Sequence, residues 1–429
     1  MNKHKNIAII GLGNIGSYLF KYLKDNKKIL TEKNNCTPIV TYVSAKNKNK
    51  KRNIKIKKNQ WLNNYLDATQ NENVDLIVEL IGGAEGPAKK LVFAALNNKK
   101  HVVTANKALI AKYGDQLSKI AEKNKVNLEF EAAVCGGVPI IRSLKEGLIA
   151  NKISKIYGIF NGTSNYILSS MEKDNKDFTE VLNNAKKLGY AESNPSADLN
   201  GNDVSSKLKI LSSLCFNSFL NNNVYVEGIN NIDKIDINNA NKLGYKIKLL
   251  GYAELLNNKI YQRVHPTLIN KKSYIASIDG VLNAVIIDGK PIGSSIIQGE
   301  GAGPAATTSA LVSDISSVLR GNIKFPFSLS QNKRKKLKFN NIDNRLFSAY
   351  LRFEVLDRPG VLSNITNIFS KNKVSIKRLV QDPNKGKSFS SIIIITHASK
   401  DQCLKKILKE ISRKKYIKKI PKLIRIHEN

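Results

Sequence analysis

The chain has 429 residues, 41% hydrophobic and 7% aromatic, enough for roughly two to four domains with sizeable cores. No apolar run approaches the ~18–20 residues that a membrane-spanning helix needs, and the polar start Met1–Asn6 leads straight into a strand, so no signal peptide is expected. The formal net charge of +36 raises nucleic-acid binding, but the lysines are scattered along the whole chain and accompany no nucleic-acid-binding motif, so they read as a solvated surface.

The first element is Lys5-Asn6-Ile7-Ala8-Ile9-Ile10, whose apolar run predicts a buried parallel strand. Gly11-Leu12-Gly13-Asn14-Ile15-Gly16 follows at once, and Tyr18, Leu19, Phe20, Tyr22 and Leu23 then give helical spacing. A strand, a G-x-G-x-x-G loop and a helix in immediate succession predict dinucleotide binding. Gly11 would make the tight turn, Gly13 would let backbone approach a pyrophosphate, and Gly16 would let the helix close on the strand. The phosphates would rest on the free N–H groups of the helix start.

A second strand over Pro38–Val43 ends at Ser44-Ala45-Lys46. An NAD site usually carries Asp or Glu there to bind the ribose 2′-hydroxyl. This chain has Lys46, followed by Lys48, Lys50, Lys51 and Arg52, which suits the 2′-phosphate of NADP. NAD stays open as the alternative, because the same lysines also belong to the general basicity. Strands at Val74–Ile81, His101–Thr104 and Val126–Glu131, with a helix at Pro87–Leu96, continue the alternation. Such alternation predicts a doubly wound α/β sheet with its ligand crevice at the strand C-termini, where Lys107 of Thr104-Ala105-Asn106-Lys107 would sit.

Glu131 to Pro139 enters a Gly-rich turn whose carbonyls, with one carboxylate, could cage a hard cation or form an ordinary turn. Asn161-Gly162-Thr163-Ser164-Asn165 leads into a helix, with Ser164 or Asn165 as its cap. From Gly189-Tyr190-Ala191-Glu192 the chain is loop-like, then helical, with Val204, Leu208, Leu211 and Cys215 on one buried stripe. Asp203 and Lys207 share a helix face at i and i+4. They are either an exposed ion pair or part of a cluster with Glu192 and Asp198 that binds an ammonium group and tunes Lys207 for proton transfer.

Taken in order, the G-x-G-x-x-G loop, T-A-N-K, E-A-A-V-C-G-G-V-P-I, N-G-T-S-N-Y-I-L and G-Y-A-E-S-N-P-S-A-D-L-N-G-N-D-V-S-S-K-L resemble homoserine dehydrogenase. Gly299-Glu300-Gly301-Ala302-Gly303-Pro304 resembles that family's return to the cofactor domain, and the likeness covers roughly residues 5–320. The resemblance implies reversible, NAD(P)H-dependent reduction of L-aspartate 4-semialdehyde to L-homoserine. It implies Lys207 and Lys107 as catalytic residues, and Glu192, Asp198, Asp203 and Lys107 as substrate-binding ones. Gly11 to Gly16, Lys46, Lys107, Gly189 and Gly303 would hold the cofactor. Glu131, with the carbonyls of Val134, Gly136 and Val138, would hold a monovalent cation, sodium above others. Two departures stand out: Cys135 replaces a frequent glycine, and Ala305-Ala306-Thr307 replaces a more usual Pro-Thr-Ala.

Gln331–Asn344 is Lys/Asn-rich and reads as a linker or surface loop. Beyond it, a strand at Tyr350–Leu356, the turn Asp357-Arg358-Pro359-Gly360-Val361-Leu362, a helix ending near Asn372, strands at Val374–Gln381 and Ser388–Thr396, a helix at Lys400–Lys414 and a strand at Leu423–Ile426 follow the ferredoxin-like β-α-β-β-α-β order. The D-R-P-G-V-L turn resembles an ACT domain, which implies a threonine effector and modules that pair edge to edge. The expected organisation is a Rossmann-type domain over 1–132 with a return segment near 300–320, an α/β catalytic and dimerisation domain over 133–330, and an ACT domain over 345–429. Four isolated cysteines, Cys36, Cys135, Cys215 and Cys403, show no metal spacing and suit a reducing cytoplasm. A monofunctional, cytoplasmic homo-oligomer (dimer or tetramer) without membrane or nucleic-acid partners is expected. The alternative is a catalytically silent amino-acid sensor on a dehydrogenase scaffold, against which the intact Lys107, Glu192, Asp203 and Lys207 argue. Removing the chain beyond about Asn344 is expected to spare activity and abolish the threonine response.

Overall fold

In the computed structural model, which describes residues 3–220, 223–383 and 389–427, the first apolar segments form a five-stranded parallel sheet. Its strands are β1 (His4–Ile10), β2 (Thr37–Ser44), β3 (Leu76–Glu79), β4 (His101–Thr104) and β5 (Leu128–Glu129), in the order β2-β1-β3-β4-β5. Ile7, Ile9, Leu76 and Val78 on one side and Ala8, Ile10 and Ile77 on the other are all buried, because helices cover both faces. The helix Pro304–Leu319 returns from the second domain to pack on the first helix, Asn14–Asp25.

The second sheet has eleven strands and runs through two domains. The middle of the chain contributes β6 (Lys152–Ile159), β7 (Tyr225–Val226), β8 (Tyr245–Leu256), β9 (Lys259–Asn270), β10 (Leu282–Lys290) and β11 (Gly293–Glu300). After the short β12 (Lys338–Phe339) and β13 (Leu346–Phe347), the C-terminal part contributes β14 (Ala349–Leu356), β15 (Ile376–Pro383), β16 (Phe389–Thr396) and β18 (Lys422–Ile426). The two-residue β17 (Ser399–Lys400) pairs only with β13. The main path is β11-β10-β6-β8-β9-β18-β14-β16-β15, with β7 and β12 also pairing along β9.

The C-terminal order β18-β14-β16-β15 is that of a ferredoxin-like sheet, with the helices Val361–Lys371 and Asp401–Ser412 as its crossovers. The expected elements therefore stand within a few residues of their sequence-based bounds, apart from Ser388, which lies outside the described residues. One edge of this sheet is already occupied. Its β18 pairs in parallel with β9 of the same chain, Arg425 opposite Thr267 and Ile426 opposite Leu268.

The segment expected as a linker is docked instead. The Arg334 side chain is fully buried, reaches Asp115 at 2.7 Å and donates to the Ser218 carbonyl. Lys338 and Phe339 then pair with Lys259 and Ile260. Polar composition suggested a free loop, but the aromatic faces of Phe219 and Phe327 take up the Arg334 guanidinium, a contact that composition does not reveal.

Candidate active site

The glycine loop behaves as its spacing suggests. Gly11 has φ +109° and a Cβ there would lie 2.4 Å from the Leu80 carbonyl oxygen, while a Cβ on Gly16 would lie 2.0 Å from that of Gly11. Space around Gly13 is open, which is what an approaching phosphate needs. Beside the loop is a cavity of about 370 Å³ lined by Gly13, Asn14, Lys21, Lys50, Lys51 and Arg52 among others. Lys46 is exposed and does not line it. Arg52 spends its guanidinium on main-chain carbonyls: Nε donates to Leu12, and the terminal nitrogens to Asn47, Lys48 and Lys50. It thereby folds the basic loop against the glycine loop and leaves Lys50 and Lys51 to face a ligand.

A larger cavity, about 630 Å³, opens where the two sheets meet. Ile15, Lys107 and Gly303 reach it from the cofactor domain and its return helix, and Gly189, Glu192, Asp198, Asp203 and Lys207 from the second domain. Gly189 and Gly303 have φ +76° and +104°, so each turns the chain in a way that side-chain-bearing residues resist. The sequence-predicted residues Lys107, Glu192, Asp198, Asp203, Lys207, Gly189 and Gly303 are thus brought to one place.

Asp203 is the hub. Its Oδ1 is 2.8 Å from Lys107 Nζ and its Oδ2 is 2.8 Å from Lys207 Nζ, with Asp203 and Lys207 side chains only 4% and 10% exposed. Lys207 also donates to the Phe160 carbonyl at 2.5 Å. Burial opposes the charge on Asp203, but the ammonium groups of Lys207 and Lys107 outweigh it and hold the carboxyl well below the usual range. Burial also opposes the charge on Lys207, and the facing Asp203 carboxylate more than offsets it, so its pKa is raised and it stands as an ammonium at neutral pH. The exposed-ion-pair reading of Asp203 and Lys207 is therefore replaced by a buried cluster.

Asn161 was not singled out by sequence. Its Nδ2 donates to Asp198 at 2.7 Å and to Asp203 at 2.8 Å, and its side-chain oxygen caps the helix Gly162–Asp174 by accepting from Ser164 N. The expected cap was Ser164 or Asn165; Asn161 takes the role because it sits just beyond the end of β6, one residue before the helix begins. The only sequence signal was its place at the head of N-G-T-S-N. Burial pushes the Asp198 carboxyl up, and the neighbouring Asp203 charge adds to this, against the pull of the Asn161 amide.

The Gly-rich turn after β5 packs on the return segment, with Gly137 N donating to the Glu300 carbonyl at 3.0 Å. Cys135 sits there at φ +57°, which explains why glycine suits this position. Its thiol is buried in the cavity wall and pushed up to about 11 by that burial. Glu131 is buried too, and its two carboxylate oxygens accept from the main-chain N–H groups of Ile141 and Arg142 at 2.8 and 2.6 Å.

Residues 11–131 match the NAD-binding-domain model of homoserine dehydrogenase, residues 139–316 match the homoserine dehydrogenase model, and residues 349–414 match the ACT-domain model. Homoserine dehydrogenase of Neisseria gonorrhoeae is 37% identical over 99% of both chains. That of Bacillus subtilis is 34% identical over 99% of this chain and 98% of its own. The chain belongs to the homoserine dehydrogenase family. The crystal structure of a homoserine dehydrogenase from Thiobacillus denitrificans superposes with a TM-score of 0.92 at 35% identity, covering 99% of each chain. The Staphylococcus aureus homoserine dehydrogenase superposes with a TM-score of 0.77 at 32% identity over 100% of both. The activity is that of the family, the NAD(P)-dependent interconversion of L-aspartate 4-semialdehyde and L-homoserine. Among the described residues no helix is long and apolar enough to cross a membrane.

Proposed function

We propose that this chain reduces L-aspartate 4-semialdehyde with NADPH in preference to NADH, and that Lys207 handles the proton. The observation that carries this reading is the pair of ammonium groups converging on Asp203 inside a cavity that adjoins the glycine loop. The residues fit a dinucleotide: Gly13 leaves room for phosphate, and Lys50, Lys51 and Lys21 offer cations beside it. A nicotinamide held there would supply hydride chemistry at the aldehyde carbon, in either direction. Asp198 and Glu192 hold the substrate ammonium, and Lys107, in the wall between the two domains, contacts both substrate and cofactor. Lys207 donates to the carbonyl oxygen and gives up a proton as alkoxide develops there, because an alkoxide is far more basic than an amine. Asp203 keeps Lys207 protonated until then.

A monovalent cation, sodium in first place, fits the turn over 131–138 if main-chain oxygens of Val134, Gly136 and Val138 hold it. The Glu131 carboxyl is committed to two N–H groups and burial pushes it up to about 7, so a cation bound nearby would favour its ionised form. The ACT module fits threonine feedback through the Asp357–Gly360 turn. The assembly is proposed as a cytoplasmic homodimer or homotetramer, with the domain limits given above. Oxidation of NADPH and of NADH should be followed with aspartate 4-semialdehyde, with and without sodium and threonine. NADPH turnover that exceeds NADH turnover and falls on adding threonine supports the reading, and equal use of both cofactors removes the assignment of the basic loop.

A further inference from the structure

Between the catalytic helix Asn202–Cys215 and the C-terminal module lies the segment from Tyr225 to Asp236, and buried arginines of that module grip both of its ends. Arg425 of β18, 1% exposed, reaches Glu227 at 2.9 Å, Tyr225 Oη at 3.1 Å and Asp401 at 2.6 Å. Arg352 of β14, 3% exposed, reaches Asp233 at 2.7 Å and Asp236 at 2.6 Å. Tyr350 Oη adds a bond to Asp236 at 3.1 Å.

The middle of the same segment presses on the substrate loop. Ile229 N donates to the Leu199 carbonyl at 2.8 Å. A Cβ on Gly228 would lie 2.2 Å from that carbonyl oxygen and 2.5 Å from the Asn200 Cα, so the two backbones touch. Gly201, at φ +84°, packs on the segment less tightly: a Cβ there would lie 3.1 Å from the Val226 side chain and 3.4 Å from the Glu227 carbonyl oxygen. Leu199 to Gly201 join Asp198 directly to the helix that carries Asp203 and Lys207. None of these strap residues lines the active-site cavity.

We infer that Glu227, Gly228 and Ile229 are positioning residues for Asp198, and that Arg425 and Arg352 of the C-terminal module set where they stand. The inference rests on Asp198 being a substrate carboxylate. Physically, one ion pair and a tyrosine hydrogen bond fix the first end of the strap, two ion pairs fix the second, and a glycine contact with no room to spare passes its position on. A packed backbone contact of this kind transmits a displacement instead of absorbing it. A rearrangement of β14 against β18 therefore reaches the substrate subsite without crossing the cofactor site.

The test uses the full chain and four variants: Asp198→Asn, Glu227→Ala, Glu227→Gln and Gly228→Ala. Steady-state KM for the semialdehyde, KM for NADPH, kcat and thermal midpoint are measured for each. Glu227→Ala and Gly228→Ala are expected to raise the semialdehyde KM about tenfold, leaving the NADPH KM within about twofold, the signature of lost substrate binding alone. Glu227→Gln, which keeps the hydrogen bonds to Arg425, should recover part of that loss. A purely structural role would lower the thermal midpoint or the active fraction and leave both KM values alone. Should Gly228→Ala fail to fold, the part-exposed Glu227 decides, since its removal empties no core. An unchanged semialdehyde KM in Glu227→Ala overturns the inference when Asp198→Asn does raise it. An unchanged KM in Asp198→Asn instead overturns the role of Asp198 itself.

Discussion

Lys107 and Lys207 sit on helices of different domains and share one carboxylate, each 2.8 Å from an oxygen of Asp203. The contact joins the cofactor domain to the catalytic helix at the point where hydride and proton must arrive together. It also fixes the charge of the buried pair, since the Asp203 carboxylate holds Lys207 protonated and the ammonium groups facing Asp203 keep it ionised.

Replacing Lys207 by Ala should therefore cut kcat by about 10²–10⁴, the usual worth of a positioned acid–base group. Cofactor affinity should hold, because Lys207 is not part of the glycine loop. Turnover measured beside a fluorescence titration with NADPH separates the two. Retention of most of the activity would take Lys207 out of the chemistry.

The Asp203→Asn variant carries a prediction about pH. In the native chain the folded-state pKa of Lys207 is raised, so its contribution to stability is complete below the unfolded value of about 10.4 and is lost as pH rises through the folded one. The reductive rate should accordingly show no Lys207 titration near neutrality. Removing the Asp203 charge takes away the largest offset to the burial of Lys207, which lowers its pKa. The alkaline limb of the kcat profile should move to lower pH in Asp203→Asn. A limb that stays where it was would mean that another group carries the proton.

Much of this site is legible in the sequence alone. Gly11, Gly13 and Gly16 are demanded by backbone geometry, and Asp203 and Lys207 are fixed on one helix face by spacing, so local rules suffice for both. Asn161 escaped because its role depends on two carboxylates that are distant in sequence. The buried arginines Arg334, Arg352 and Arg425 escaped for a similar reason: in a chain with 70 Lys and Arg residues, nothing local marks the few that are desolvated. Lys46 was favoured by its place at the end of β2, yet the chain beyond that strand turns so that Lys50 and Lys51 line the cavity instead.

That difference can be measured. Exchanging Lys50 and Lys51 together for Ala should raise the KM for NADPH about tenfold and leave that for NADH nearly unchanged, given that a 2′-phosphate gains from charged hydrogen bonds. Lys46→Ala should have the smaller effect on both. If Lys46→Ala instead abolishes the NADPH preference while the double variant retains it, the phosphate lies nearer the end of β2 than the cavity suggests.

The pairing of β18 with β9 changes what truncation should do. Sequence alone suggested that ending the chain near Asn344 would spare activity. In the structure that cut strips the catalytic sheet of its neighbouring strand and removes Arg352 and Arg425 from Asp236, Asp233 and Glu227. Asp236 is fully buried in the full chain, and the cut removes both β14 residues bonded to it, Tyr350 and Arg352; it also opens to water the apolar residues Tyr252, Tyr261 and Ile269, which share one buried cluster with Leu351 and Phe353 of β14. On β9 the cut frees only the stretch at Thr267 and Leu268, because β7 and β12 stay paired along the rest. The truncated chain should therefore be insoluble or inactive when its yield and specific activity are compared with the full chain. A soluble, fully active and threonine-insensitive fragment would show that the module is held more loosely than these contacts imply.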